Sequence, residues 1–411
     1  MSNKKYDVIN SYPKELRLII RCLKISLSTD SQHCSSLDIS GVNWDKFVKL
    51  VRYHRVQGQI YKVVQMYNLN ISPDVVAALK TLCKNNGLAA LKNTAEVIQL
   101  KNQFEQENIP FILFKGITLS QYLYGEPGFR HTGDIDFLIK KEDINRVNEL
   151  LFRRGYSRIF PGKLLTPKQT EVFINSHHHF EYFQRSKRIR LEAHWDFFFN
   201  KQMFNPCLTK IFNEAEELTI SGTSLAVLPV KKLILYLMVH GSLHGYFRLF
   251  WLYDIAAFYC FEKEIDWKEI YIEAKNLGVE RILAQTFNLI NILWLVPIPG
   301  FMENRSNNFA VDYITGMALK IIPAGENIFD GSSLQRLKKN LYQMLMKKGL
   351  AHKFTPLKRQ LTSYHDWKFI ELPDKLFFLY YLLRPFFIII ALFKKDYFGD
   401  TINKTPENDL K

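Results

Sequence analysis

Two aspartates, Asp134 and Asp136, sit in an otherwise apolar run, Asp134-Ile135-Asp136-Phe137-Leu138-Ile139. Side chains in a strand alternate faces, so both carboxylates point to one side while Ile135 and Phe137 point to the other. Neighbouring carboxylates repel, and burying them without a partner is costly. A divalent cation resolves the conflict; Mg2+ takes one or two carboxylates together with water and phosphate oxygens. The same string also reads as a strand-end pair capping the next helix. A third carboxylate is found in Arg190-Leu191-Glu192-Ala193-His194-Trp195, where alternation puts Arg190, Glu192 and His194 on one face and the apolar residues on the other. Glu192 either completes a two-metal site with Asp134 and Asp136 or is a polar position on an edge hairpin. His194, on the same face, is suited to hydrogen-bond a metal-bound carboxylate. Upstream, Lys115-Gly116 closes an apolar run. Glycine permits a tight strand-to-helix turn, the N–H groups of the helix start bind anionic oxygens, and Lys115 adds a compact positive charge. Most such pairs are ordinary turns; the combination with Asp134, Asp136 and Glu192 gives this one its weight.

Other polar residues allow two readings each. Arg130 either neutralises phosphate charge or is a surface arginine in a loop. His177-His178-His179 can offer at most two imidazoles to one face of a strand, and no cysteine or acidic residue is spaced to help, so the run reads as a polar strand entry. His240, His244, Arg248 and Trp251 line one helical face if the helix runs through Gly241 and Gly245, and Asp254 follows three residues later. This stripe is either the wall of a nucleotide cleft, with Arg248 on phosphate or base, or a buried Arg248–Asp254 pair linking helices.

The elements that must position these groups follow from pattern. Residues 109–114 and 134–139 have the length of buried strands, and residues 117–124 read as a helix stopped by Gly125. A further helix ends at Gly155, and another starts at Thr166-Pro167. Residues 178–184 and 188–197, joined by a polar turn at 185–187, read as a hairpin. Helical periodicity governs the first hundred residues, including a helix opened by Ser72 and Pro73, and returns after Pro229. The expected organisation is a helical region at 1–108, an α/β core at 109–225, a helical region closing the cleft at 226–300 and a C-terminal helical region at 301–411.

The bulk composition agrees with a globular chain. Its 411 residues are 47% hydrophobic, enough for two to three domains of about 150 residues each. A formal net charge of +15 favours an anionic partner, although a generally basic soluble protein reads the same way. Five scattered cysteines, none at CxxC spacing, argue against a disulfide framework and against a zinc site. The N-terminus lacks the apolar stretch of a signal peptide, and a cytoplasmic location is expected. Residues 376–393 are apolar apart from Arg384-Pro385. They read as two buried helices broken at the proline, ahead of a peripheral contact with the inner face of the membrane. The last dozen residues read as a solvated tail.

In this order of elements the chain resembles the bacterial nucleotidyltransferase family NTP_transf_5, within the nucleotidyltransferase superfamily and its polymerase-beta-like fold. The resemblance rests on Phe114-Lys115-Gly116-Ile117, on Arg130 with Gly133–Ile139, on Leu191-Glu192-Ala193-His194-Trp195 and on the stretch from His240 to Ala256. It implies an α+β fold, a small mixed sheet flanked by N-terminal and C-terminal helical regions. It also implies transfer of an NMP from an NTP such as ATP to an acceptor: a sugar, a peptide or protein side chain or, less favoured, a nucleic acid. Asp134, Asp136 and Glu192 would then hold two Mg2+ ions. Lys115 and Gly116 would face the triphosphate, with Arg130 and Arg248 on the nucleotide and His194, His240, His244 and Asp254 in support. Lys-Gly stands where well-studied members of the superfamily have Gly-Ser, which leaves a catalytically inactive nucleotide-binding protein as an alternative; residues 376–395 and the positive charge leave another, a membrane-surface partner in envelope or polysaccharide synthesis.

Overall fold

The apolar run at 109–114 forms a short strand, β1 (Phe111–Leu113), near the middle of a seven-stranded mixed sheet. The computed structural model describes residues 8–28, 37–67, 69–162, 164–305, 308–325, 333–349, 352 and 363–393. The expected solvated tail lies outside them.

Leading into the sheet are α1 (Lys14–Leu27), α2 (Trp44–His54), α3 (Gln57–Met66) and the long α4 (Pro73–Gln106). Pro73 occupies the first turn of α4 as predicted, but the Ser72 side chain makes no capping hydrogen bond. After β1 come α5 (Ile117–Tyr124), β2 (Ile135–Ile139), α6 (Ile144–Arg153), β3 (Ser157–Phe160) and α7 (Pro167–Ser176). Gly125 ends α5 in the left-handed conformation, and Thr166 with Gln169 forms a reciprocal capping box at α7. The hairpin β4 (His179–Gln184) and β5 (Ile189–His194) precedes α8 (Leu208–Asn213) and a second hairpin, β6 (Glu216–Ile220) and β7 (Thr223–Val227). The strands lie in the order β3-β4-β5-β2-β1-β7-β6. β3, β6 and β7 were not anticipated. The second hairpin is marked in the sequence by Ser221-Gly222, both at positive φ, the signature of a two-residue turn.

Strand alternation divides the sheet between two cores. Ile135, Phe137 and Ile139 of β2, Leu191 and Ala193 of β5, and Phe180 and Tyr182 of β4 face one way. They pack with Phe104 of α4, Leu151 of α6, Phe173 of α7 and the C-terminal Trp367 and Tyr380. Ile112, Phe114 and Leu138 face the other way, into a core made with the N-terminal helices and with α9 (Val230–Leu243) and α10 (Leu249–Phe261). Asp136, Glu192 and His194 alternate with the first set and so belong to this second face.

Two expectations are corrected. The helix read as continuous through Gly245 stops at Leu243, and α10 begins at Leu249. Gly245 and Tyr246 both take positive φ there, and the Tyr246 ring folds back against Gly241, where a Cβ would meet it at 2.3 Å. His240, His244 and Trp251 are therefore gathered by a turn, with ring centroids 4.9–5.4 Å apart, and not by one helical face. In the C-terminal apolar segment a single helix, α11 (Leu379–Phe393), runs through Pro385. Its Arg384 pairs with the buried Asp366 at 2.5 Å, whereas Tyr381, Leu382, Phe386 and Ile389 are exposed. No helix among the described residues is long and apolar enough to cross a membrane.

The packing of the second core carries a pH signature. His54, at the end of α2, is fully buried, and its Nδ1 accepts the Leu249 N–H at 3.4 Å. Burial, reinforced by the Arg248 charge, pushes its pKa down to about 3. Unfolding restores an ordinary histidine, so the unfolded chain binds the extra proton between that value and about 6.5. Stability from this group is thus complete above about pH 6.5 and is lost as pH falls, by about 3 kcal/mol near pH 4. Urea unfolding across this range should show the loss, and His54→Gln should flatten it.

Candidate active site

The parallel pairing of β2 with β5 sets Asp136 directly opposite Glu192 and Leu138 opposite His194. The antiparallel pairing of β4 with β5 adds Glu181 opposite Glu192 and His179 opposite His194. One face of three adjacent strands therefore carries a row of three carboxylates, with two imidazoles beside it. Such a row is tenable only with compensating positive charge or hydrogen bonds.

Lys115 supplies the charge. Its Nζ lies 2.7 Å from Asp136 Oδ1 and 4.0 Å from Glu192 Oε2. Burial works to lower the Lys115 pKa, but the surrounding negative charge, led by Asp136, lifts it well above the ordinary lysine value. His194 Nε2 stands 3.1 Å from Glu192 Oε2 and 3.4 Å from Asp136 Oδ1. Glu181 is met by His179 at 3.4 Å and by Arg190 at 3.7 Å. Asp136 is 1% exposed, and its Oδ2 has no hydrogen-bond partner. A buried carboxylate oxygen left over in this way, beside a second carboxylate, fits a divalent cation.

Among the described residues, Asp136, Glu192 and His194 bring three ligand-type atoms within 4.8 Å of one another. Asp134, expected beside Asp136 and Glu192, is not one of these three residues, and His194 is. The reason is local, because β2 begins at Ile135 and Asp134 lies in the bend before it, outside the alternation. Asp134 is nevertheless near. Burial and the Asp136 charge raise its pKa, against the opposing charges of Lys115, Arg55 and Arg190.

The Lys115-Gly116 turn is seated on the segment before β2. Gly116 has φ +68° and ψ −125°, and a Cβ there would stand 3.3 Å from both the Asp134 carbonyl and Thr132 Oγ1. Gly116→Ala should cost about 1–3 kcal/mol of stability and move Lys115 away from Asp136. Denaturant unfolding, alongside nucleotide titration calorimetry, would measure both effects. The segment itself is clamped by Asn86 of α4. The Asn86 amide donates to the Gly128 and Arg130 carbonyls at 2.6 and 2.9 Å, and its oxygen accepts the Thr132 N–H at 3.1 Å.

Arg130 is not a surface residue. It is 5% exposed, its Nε donates to Asp254 Oδ2 at 2.8 Å, and Tyr124 donates to the other Asp254 oxygen at 3.2 Å. Asp254, for which Arg248 was one of two readings, pairs with Arg130. Arg248 lies ahead of α10 with its guanidinium 5.1 Å from the Phe247 ring centre. Arg55 and Arg130 both lie against the Phe250 ring, at 5.7 and 4.7 Å. His131, next in the chain, is held well below its ordinary pKa by burial and then by Arg55, Arg130, Arg248 and Arg52. A concentration of arginines thus adjoins the carboxylates, with Arg55 reaching in from the N-terminal region. α9 closes the other side with Tyr236 and His240, the Tyr236 ring 5.1 Å from Phe114 and 5.7 Å from His240.

Several of these residues escaped the sequence reading. Glu181 was readable, since it falls opposite Glu192 once the hairpin turn is fixed. Tyr236 lies one helical turn before His240, but apolar neighbours hide it. Nothing local marks Arg55 or Asn86.

Searches of curated proteins and of solved structures returned no match. Residues 40–294 match the family described as "Uncharacterised nucleotidyltransferase", a span that holds Lys115, Asp134, Asp136, Glu192 and the arginines around His131. That match covers more than half of the 411 residues, and the chain belongs to this nucleotidyltransferase family.

Proposed function

We propose that the chain transfers a nucleoside monophosphate from a nucleoside triphosphate to an acceptor hydroxyl, with Mg2+ as cofactor and pyrophosphate as the second product. The observation that carries this reading is Asp136 opposite Glu192 on paired strands, with Lys115 at 2.7 Å from Asp136 at the mouth of a glycine turn. Asp136 and Glu192, with Asp134 alongside, would hold the metal, which when bound withdraws charge from the triphosphate oxygens and makes the acceptor hydroxyl more acidic. The acceptor oxygen bonds to the α-phosphorus, the bond from that phosphorus to pyrophosphate breaks, and the hydroxyl proton leaves to a carboxylate or to water. Lys115 and the backbone N–H groups that open α5 are suited to bind phosphate oxygens. Arg55 and Arg248 add positive potential on the same side, while Arg130, engaged by Asp254, holds the loop and contributes its field. Tyr236, His240 and Phe114 make a wall that limits water around the reacting groups.

A second reading is supported by the same lysine. An ammonium 2.7 Å from Asp136 already compensates that carboxylate, which suits a protein that binds nucleotide without turnover. Incubation of the full chain with each NTP and Mg2+, read by pyrophosphate release and by calorimetry, separates the two. Release supports the transferase, binding without release supports the second reading, and neither would overturn both.

A further inference from the structure

The three consecutive histidines lie at the entry to β4, where they part company. His177 turns away and stacks on Phe173, with ring centres 3.8 Å apart and planes within 3°. His178 precedes β4 and is therefore free of strict alternation, while His179 is the first residue of the strand and faces His194 of β5. The ligand-type atoms of His178, His179 and His194 lie within 4.8 Å of one another. His179 Nδ1 and His178 Nε2 are 2.9 Å apart, and the His179 and His194 rings stack at 4.9 Å. Carboxylates back the cluster: Glu181 stands 3.4 Å from His179 Nε2, and Glu192 stands 3.1 Å from His194 Nε2. The acidic partners that no local spacing indicates are supplied by strand pairing. His194 is 2% exposed, and its Nδ1 has no hydrogen-bond partner. His178 and His179 are half-buried, which leaves a route in from solvent.

We infer that His178, His179 and His194 form a binding site for a zinc-class divalent ion beside the carboxylate pair, with Glu181 and Glu192 orienting the imidazoles. Three imidazoles converging on one point suit Zn2+ and its probe Co2+, whereas Mg2+ takes oxygen ligands and gains little from them. Carboxylates hydrogen-bonded to ligating histidines are the usual second layer of such sites, fixing ring orientation and raising ligand basicity. The inference goes beyond nucleotidyl transfer and does not need it: the site would bind metal in a protein that turns over no nucleotide.

The test uses the full chain, stripped with chelator and titrated with Co2+ in excess Mg2+. The expected result is one Co2+ per chain with visible bands of low coordination number, displaced by Zn2+ and not by Mg2+. His178→Ala and His179→Gln should each weaken Co2+ binding by about 100-fold or more while melting temperature stays near that of the wild type. Asp136→Asn should keep the Co2+ bands whatever it does to pyrophosphate release, so a failed transferase reading and a failed metal site give different results. Absence of Co2+ bands in the wild type, displacement by Mg2+, or wild-type affinity in both folded histidine variants would overturn the inference.

Discussion

Asp136→Asn should lower pyrophosphate release from any accepted NTP by about 10²–10³-fold, the scale on which loss of one well-placed electrostatic group is felt in a transition state. The substitution keeps the shape of a side chain that is 1% exposed and removes only its charge. Lys115 loses its closest partner but retains Glu192, which lies 4.0 Å from its Nζ. Repulsion between Asp136 and Glu192 disappears at the same time, so the fold should hold and the loss should appear in turnover. Steady-state pyrophosphate assays paired with thermal melts decide it. A folded variant that releases pyrophosphate at the wild-type rate would remove this carboxylate, and with it the proposed chemistry, from the site.

The second large effect is on stability. Arg130→Leu is expected to cost about 3–5 kcal/mol, because it leaves Asp254 buried with no cation. Burial already raises the Asp254 pKa, and the Arg130 charge and hydrogen bond are the main influences opposing that rise. Tyr124 can still donate to Asp254, but a neutral donor offsets only part of the desolvation. Replacing both partners, Arg130→Leu with Asp254→Leu, should recover much of the loss, since an apolar pair of similar size leaves no charge stranded. Urea unfolding of the two single variants and the double variant gives the coupling directly. Single losses that simply add would mean that the pair contributes little.

What could be read from the chain and what could not divide along a physical line. Alternation in Arg190–Trp195 and in Asp134–Ile139 is a local property, and it assigned the two faces of β5 and β2. Gly125, Pro73 and the Thr166-Pro167 step act on their own turns, and the helix boundaries followed. Register between β2 and β5 is different. Those strands are separated by α6, β3, α7 and β4, and only their parallel pairing puts Asp136 across from Glu192. Asp134 was placed in the strand because the pattern has no means of showing that the ladder begins one residue later. The partner of Asp254 was hidden for a similar reason: Arg248 is near in sequence, whereas Arg130 arrives from 124 residues away. The histidine run was discounted on spacing along the chain, but its neighbours come from across the sheet.

The Phe250 ring, with Arg55 on it from one end of the chain and Arg130 on it from the loop before β2, ties together parts that composition alone would cut apart. Excising 109–225 would strand Asp254 and Phe250 on the discarded side and uncover the face of the sheet that Ile112, Phe114 and Leu138 bury. The 109–225 segment is thus no portable module: grafted elsewhere without its two helical flanks, it would lack both its electrostatic counterweight and its roof.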